Sequence, residues 1–283
     1  MRFQSTVAIG LCASAASAAY VPCGTSGSAH ALRDIAEEEN LRTSGLGPRG
    51  ANKLVTIDTY VHAVATSKKE EDGYLSDKTV QREISLLNEA FKPHNFAFKL
   101  IKTTRNINGS WAEPVGGPGR NNTEPELRAA LRKGGYDDLN LFYILDMPPG
   151  GKCELPIPNP TSQDIINDGC IMKPDNLGEA PLKYGSTTIH EVGHWLGLEH
   201  TFENGCNEPG DGVDDTPYER IPPFGECPEP GRDTCPDKPG LDPVDNYMSY
   251  VEDSCGPKKF TPGQTQRMHS LWKKLRLPYK MKY

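Results

Sequence analysis

Between positions 190 and 200 the chain reads His190-Glu191-Val192-Gly193-His194-Trp195-Leu196-Gly197-Leu198-Glu199-His200. On an α-helix His190 and His194 stand one turn apart on the same face, so both imidazoles can reach one ion. Glu191 falls about 100° round the helix from His190, beside such an ion rather than on it. A base for a metal-activated water belongs there. His200 would face the opposite side of an unbroken helix and joins the pair only where the helix stops. Gly197 is the place for that break, because glycine accepts the left-handed conformation that turns a chain back. Three neutral imidazoles and one open position make the catalytic form of zinc coordination. A lone HExxH is common by chance, but adding the third His and the Gly lowers the chance rate to the order of 10⁻⁷ per position.

A second motif follows at Asp245-Asn246-Tyr247-Met248-Ser249-Tyr250. HExxHxxGxxH followed by a methionine-bearing turn is the metzincin pattern. Met248 would then lie beneath the histidines as a soft, adaptable floor. Tyr250 either donates its hydroxyl to an oxyanion in the cleft or is an ordinary packed tyrosine.

The extended zinc string through Thr201-Phe202, the later Asp-Asn-Tyr-Met-Ser-Tyr and the intervening Gly210-Asp211-Gly212-Val213-Asp214-Asp215-Thr216-Pro217 resemble the pappalysin family. They are most similar to its secreted fungal extracellular metalloproteases. The resemblance runs from about residue 50 to the C-terminus. It implies a metzincin fold, zinc-dependent endopeptidase activity and a disulfide bracing the Met-turn region, which Cys227 with Cys255 fits. Family members carry calcium near the 211–216 loop. Asp211, Asp214, Asp215 and Thr216 offer oxygens at the density calcium prefers, although a solvated acidic turn would look the same.

The remainder of the chain must position and export this centre. Its 283 residues suffice for a substantial core. The net charge is −7 without a Lys/Arg cluster, which disfavours a nucleic-acid partner. Residues 1–18 read as a signal peptide, with Arg2 in the n-region and Ala16-Ser17-Ala18 as the cleavage site. No other stretch is long and apolar enough for a membrane anchor, so an extracellular product is expected. Asn108 and Asn121 head glycosylation acceptor triplets. Once Cys12 leaves with the signal, seven cysteines remain, so one thiol is left over. Beyond Cys227–Cys255, the pairs expected are Cys153–Cys170 and Cys206–Cys235, although sequence alone does not fix connectivity.

The expected fold class is α+β, of metzincin type: a twisted mixed sheet with helices in an N-terminal lobe (51–200) and an irregular, disulfide-braced C-terminal lobe (201–283). Alternation over Leu54–Val64 predicts a strand, with Val55, Ile57, Val61 and Ala63 on one face. A helix follows, capped by Ser76, with Val80, Ile84, Leu87 and Phe91 at helical spacing. Phe96, Phe98 and Leu100 mark a second strand, Thr123 a short helix, and Leu139–Leu145 a buried third strand. Thr261-Pro262-Gly263-Gln264 has the form of a capping box opening a last helix. Residues 19–50 read as a leader or flexible segment. Within it Cys23 is the odd thiol, in a Cys-Gly-Thr context that resembles the leader of latent pappalysin relatives. Such a thiolate could take the open zinc position, or it is an idle or bonded cysteine.

The expected substrates are proteins or peptides, with Glu191 as general base. A binding module with purely structural zinc and a small-substrate zinc hydrolase are the rivals. Glu191 speaks against the first, because a structural site has no use for a carboxylate beside an open position.

Overall fold

The computed structural model describes residue 25 and residues 32–38, 53–112, 122–145, 147, 150–174, 186–222 and 227–280. The expected signal peptide, Cys23 and Asn121 lie outside the described residues. A helix, α1, spans 32–38 inside the segment expected to be flexible. Leu32 and Ala36 are buried there against Leu271 and Leu275 near the C-terminus, which is enough apolar burial to hold two turns in place.

The alternating run forms β1 (Val55–Ala65) and the amphipathic run forms α2 (Asp77–Phe91). The Ser76 hydroxyl caps α2 by accepting from the backbone N–H of Thr79. Next come β2 (Phe96–Ile107), a single turn α3 (Gly109–Ala112) and α4 (Glu124–Leu131). Thr123 precedes α4 without capping it, since its hydroxyl bonds Ser110 O instead. β3 is Leu139–Tyr143, with Leu141 and Tyr143 facing one core and Phe142 the other. Burial on both faces explains its unbroken apolar texture.

Two three-residue strands without a periodic signature complete the sheet: β4 (Gly151–Cys153) and β5 (Cys170–Met172), with α5 (Ser162–Asn167) between them. The strand order is β2-β1-β3-β5-β4, and every pairing is parallel except β4 with β5. Cys153 lies opposite Cys170 in that pair and is bridged to it. β4 is therefore a short antiparallel edge. The expected mixed sheet is present.

On the sheet face that carries α2 lies α6 (Ser186–Trp195). Ile57, Val61, Leu87, Leu141, Ile189 and Val192 form one core there, and it continues into Met248, Phe260 and Met268. After His200 there is little regular structure until α7 (Pro262–Leu271), whose N-terminus carries the expected capping box between Thr261 and Gln264. Disulfides Cys206–Cys235 and Cys227–Cys255 brace the irregular stretch. An ion pair closes the far end: Arg276, fully buried, bonds both oxygens of Asp168 at 3.1 Å and donates to the carbonyl of Trp195, the last residue of α6.

Candidate metal centre

Helix α6 stops where the sequence says it must. Gly197 adopts φ +98°, Leu198 N–H bonds Gly193 O at 3.0 Å, and Gly197 N–H bonds His194 O at 2.7 Å. This is a Schellman motif with glycine at its left-handed position. A Cβ at Gly197 would lie 2.2 Å from a Leu271 methyl, so packing as well as backbone excludes other residues. The turn carries His200 back to the pair on the helix.

The three imidazoles converge. His194 Nε2 lies 3.2 Å from both His190 Nε2 and His200 Nε2. His190 Nδ1 is 2.7 Å from Tyr247 O, and His194 Nδ1 is 2.7 Å from Leu198 O. A carbonyl accepts only, so each Nδ1 carries the proton and each Nε2 presents a lone pair. Burial pushes the His190 pKa down to about 4. Burial, then repulsion from neighbouring imidazoles, holds His194 and His200 well below the usual value. Neutral rings with lone pairs aimed at one point fit a divalent cation and repel one another without one.

Glu191 is fully buried beside this point. A Cβ on Gly151 would come within 2.5 Å of its Oε1, so the bare backbone of β4 runs directly over the carboxylate. Glu191 Oε2 also accepts from the Thr25 hydroxyl at 3.4 Å. That hydroxyl lies 2.9 Å from Cys153 N and 3.1 Å from Cys153 O, where it engages the free edge of β4. Nothing in a polar N-terminal stretch signalled this contact. Thr25, ahead of the catalytic region in the chain, is thus seated against the carboxylate and the outer edge of β4.

Met248 is fully buried under α6, where a Cβ on Gly193 would meet its sulfur at 2.5 Å. Tyr250 reaches the centre, with its hydroxyl 3.0 Å from His200 Nε2. Ser186, the first residue of α6, gives its N–H to the Asp253 carboxylate at 2.9 Å. The Met-turn segment therefore contacts both the helix start and its histidines, a role for Asp253 that sequence reasoning missed.

The acidic loop divides. Asp211 and Thr216 are buried, and burial pushes Asp211 up to about 7. Asp214 instead points outward at 92% side-chain exposure, paired with Arg33. Asp215 is exposed and accepts from Gly263 N–H at 2.8 Å and from the Thr261 hydroxyl, at the start of α7. The buried acid near Asp211 is Glu199, also pushed up to about 7 by burial, and Arg267 lies against both. Arg267 donates to Asp211 O and Gly212 O at 3.1 and 3.2 Å. Of the acceptor asparagines, Asn108 follows β2, and its side-chain oxygen accepts from the N–H groups of Ser110 and Trp111.

The Peptidase M43 family profile, described as pregnancy-associated plasma protein-A, matches residues 164–273. An extracellular metalloprotease of Pyricularia oryzae is 43% identical over 253 residues, covering 88% of this chain and 85% of the relative. One from Colletotrichum graminicola is 39% identical over 289 residues, covering 99% of this chain and 100% of the relative. Mirolysin in complex with compound 9 superposes with a TM-score of 0.62 at 25% identity, covering 78% of this chain and 92% of mirolysin. Mature Tannerella forsythia mirolysin in complex with a cleaved peptide shares the fold, with a TM-score of 0.60 at 23% identity over 80% of this chain and 97% of that one.

Proposed function

The chain belongs to the Peptidase M43 family of metallopeptidases, which hydrolyse peptide bonds, and from that premise we propose that it is a secreted zinc-dependent endopeptidase with Glu191 as its general base. One observation carries the zinc reading: three buried, neutral imidazoles aim their Nε2 lone pairs at one point while carbonyls hold the Nδ1 protons of two of them. His190, His194 and His200 would hold the ion. When bound, zinc would supply Lewis-acid chemistry, acidifying a water and polarising the scissile carbonyl. Glu191 would accept the proton from that water and return it to the leaving amine. Tyr250, whose hydroxyl lies 3.0 Å from His200 Nε2, would donate that hydroxyl to the developing oxyanion.

Substrates are proteins and peptides in extended form. The free edge of β4 offers backbone groups to which a peptide can add as a strand. Secretion is supported by relatives named extracellular metalloproteases and by an N-terminal signal pattern. Among the described residues no helix is long and apolar enough to cross a membrane. We further propose that the N-terminal segment keeps the enzyme latent until residues up to about 50 are trimmed, with the Cys23 thiolate as the ligand it would offer a bound zinc. The Thr25 contacts with Glu191 and β4, two residues further along the chain, support this. Calcium would bind near Asp211 and Thr216, with Glu199 rather than Asp214 or Asp215 as the further acid.

Casein zymography of the trimmed protein, with and without a chelator and after zinc is restored, tests the main reading. Clearing that disappears with the chelator and returns with zinc supports it. Zinc-loaded protein that clears no casein would favour a structural zinc, and hydrolysis confined to small esters would favour the other hydrolase class.

A further inference from the structure

Two of the three histidines are oriented by a backbone carbonyl on Nδ1, but among the described residues no partner holds the Nδ1 of His200. Outer partners of this kind normally fix a ligand imidazole. His200 also sits past the end of α6, where no helix constrains it. It stacks on Phe202, with ring centroids 4.7 Å apart, yet a stack resists sliding weakly. Something else must fix the chain here.

Glu219 lies in the irregular stretch between Cys206 and Cys227 and is fully buried. Its Oε2 accepts from the Thr201 hydroxyl at 2.6 Å and from the Ser249 hydroxyl at 3.1 Å. Thr201 follows His200, and Ser249 separates Met248 from Tyr250. The same two segments are joined by a backbone bond from Thr201 N–H to Met248 O at 3.2 Å. Glu219 Oε1 accepts from Arg232 Nη1 at 3.2 Å, and Arg232 is pinned in turn by Asp242. Asp242 also accepts from Thr234 N–H and its hydroxyl.

Burying such an ion pair is a poor way to gain stability, since packed apolar side chains do as well or better. What the carboxylate adds is direction: one oxygen holds hydroxyls from both segments that carry site residues. We propose that Glu219 is a positioning residue that clamps Thr201 to Ser249 and so fixes His200 and Tyr250 relative to each other at the metal. The inference rests on the zinc reading above.

The test uses the whole chain loaded with zinc or cobalt. It compares wild type with Glu219→Gln and, as a pair that leaves the carboxylate in place, Thr201→Ser with Thr201→Val. The Gln and Val variants should lose zinc to a competing chelator about tenfold faster, the lower end for an outer partner of a metal ligand. Their cobalt d–d spectra should shift, and after trimming kcat should fall with KM changed less than about twofold, the pattern of an interaction that acts in the transition state. Thr201→Ser, which keeps the hydroxyl, should match wild type in all three. A purely structural Glu219 would lower the melting temperature while leaving metal loss and the cobalt spectrum as in wild type, and that result overturns the proposal. So does a Thr201→Val protein indistinguishable from Thr201→Ser, even where Glu219→Gln fails to fold. A wild type that takes up no metal overturns the zinc reading and the clamp with it, whereas a metal-loaded wild type with unaffected variants overturns the clamp alone.

Discussion

The region up to Trp195 and the region after His200 supply one site by opposite means. The first is a mixed, mostly parallel sheet with helices on both faces, and it fixes His190, Glu191 and His194 through a core that holds Ile189 and Val192 together with Leu141 and Leu87. The second has hardly a regular element before α7, and it fixes His200, Met248 and Tyr250 through hydrogen bonds, ion pairs and two disulfides. Packing is cooperative and tolerant of small changes in direction. Hydrogen-bond staples are directional, and losing one leaves a buried group unpaired. The geometry of the helix pair should therefore be robust, and that of the third histidine fragile.

The largest effects should break this comparison cleanly. Leu141→Ala, in the middle of β3, should cost about 2–5 kcal/mol of stability, read by denaturant unfolding, while folded molecules keep zinc as wild type does. Removing the bridge with Cys227→Ser and Cys255→Ser should cost a similar 2–4 kcal/mol or so. It should also speed zinc loss, because the bridge anchors the turn whose Asp253 holds the start of α6. Equal zinc loss in the two variants would show that the regions do not differ in kind.

Calcium should act on the second region only. If it binds at Asp211, Thr216 and Glu199, a hundredfold excess over Kd stabilises by about 2.7 kcal/mol. The melting temperature should then rise in wild type but not in Asp211→Asn. No rise in wild type removes calcium from the account.

The proposed latency should have the smallest effect in energy, since each 1.4 kcal/mol or so of docking by the N-terminal segment would hold activity back tenfold. Cys23→Ser, compared with untrimmed wild type on casein, should be about tenfold more active on that scale. Equal activity in the two intact chains excludes latency through this cysteine.

The same contrast explains how much the sequence discloses. β1, α2, β3 and the Thr261 capping box are legible because their signals are local: alternation, helical spacing, a cap with its partner three residues on. β4 and β5 are not, since three residues carry no period and their pairing depends on neighbours and the Cys153–Cys170 bridge. α1 was hidden because only Leu32 and Ala36 of it are buried, against helix-end residues far along the chain. At the site, the histidines and Glu191 could be read because helix geometry converts spacing into direction. Thr25, Glu219 and Asp253 are single polar residues whose partners are distant in sequence, Thr25 being 166 positions from Glu191. Asp214 and Asp215 show the converse: oxygen density in a loop says nothing of where the oxygens point, and Asp215 faces α7.

The central claim is that Glu191 moves the proton while three histidines hold the zinc, and Glu191→Gln separates those roles. Both wild type and variant would be trimmed of residues 19–50, assayed for bound zinc after dialysis, and compared for the rate of casein hydrolysis. Zinc content should be equal in the two, and the rate should be lower in the variant by at least about 10², as expected for loss of a general base. A Gln variant that carries the same zinc and digests casein at close to the wild-type rate would contradict it.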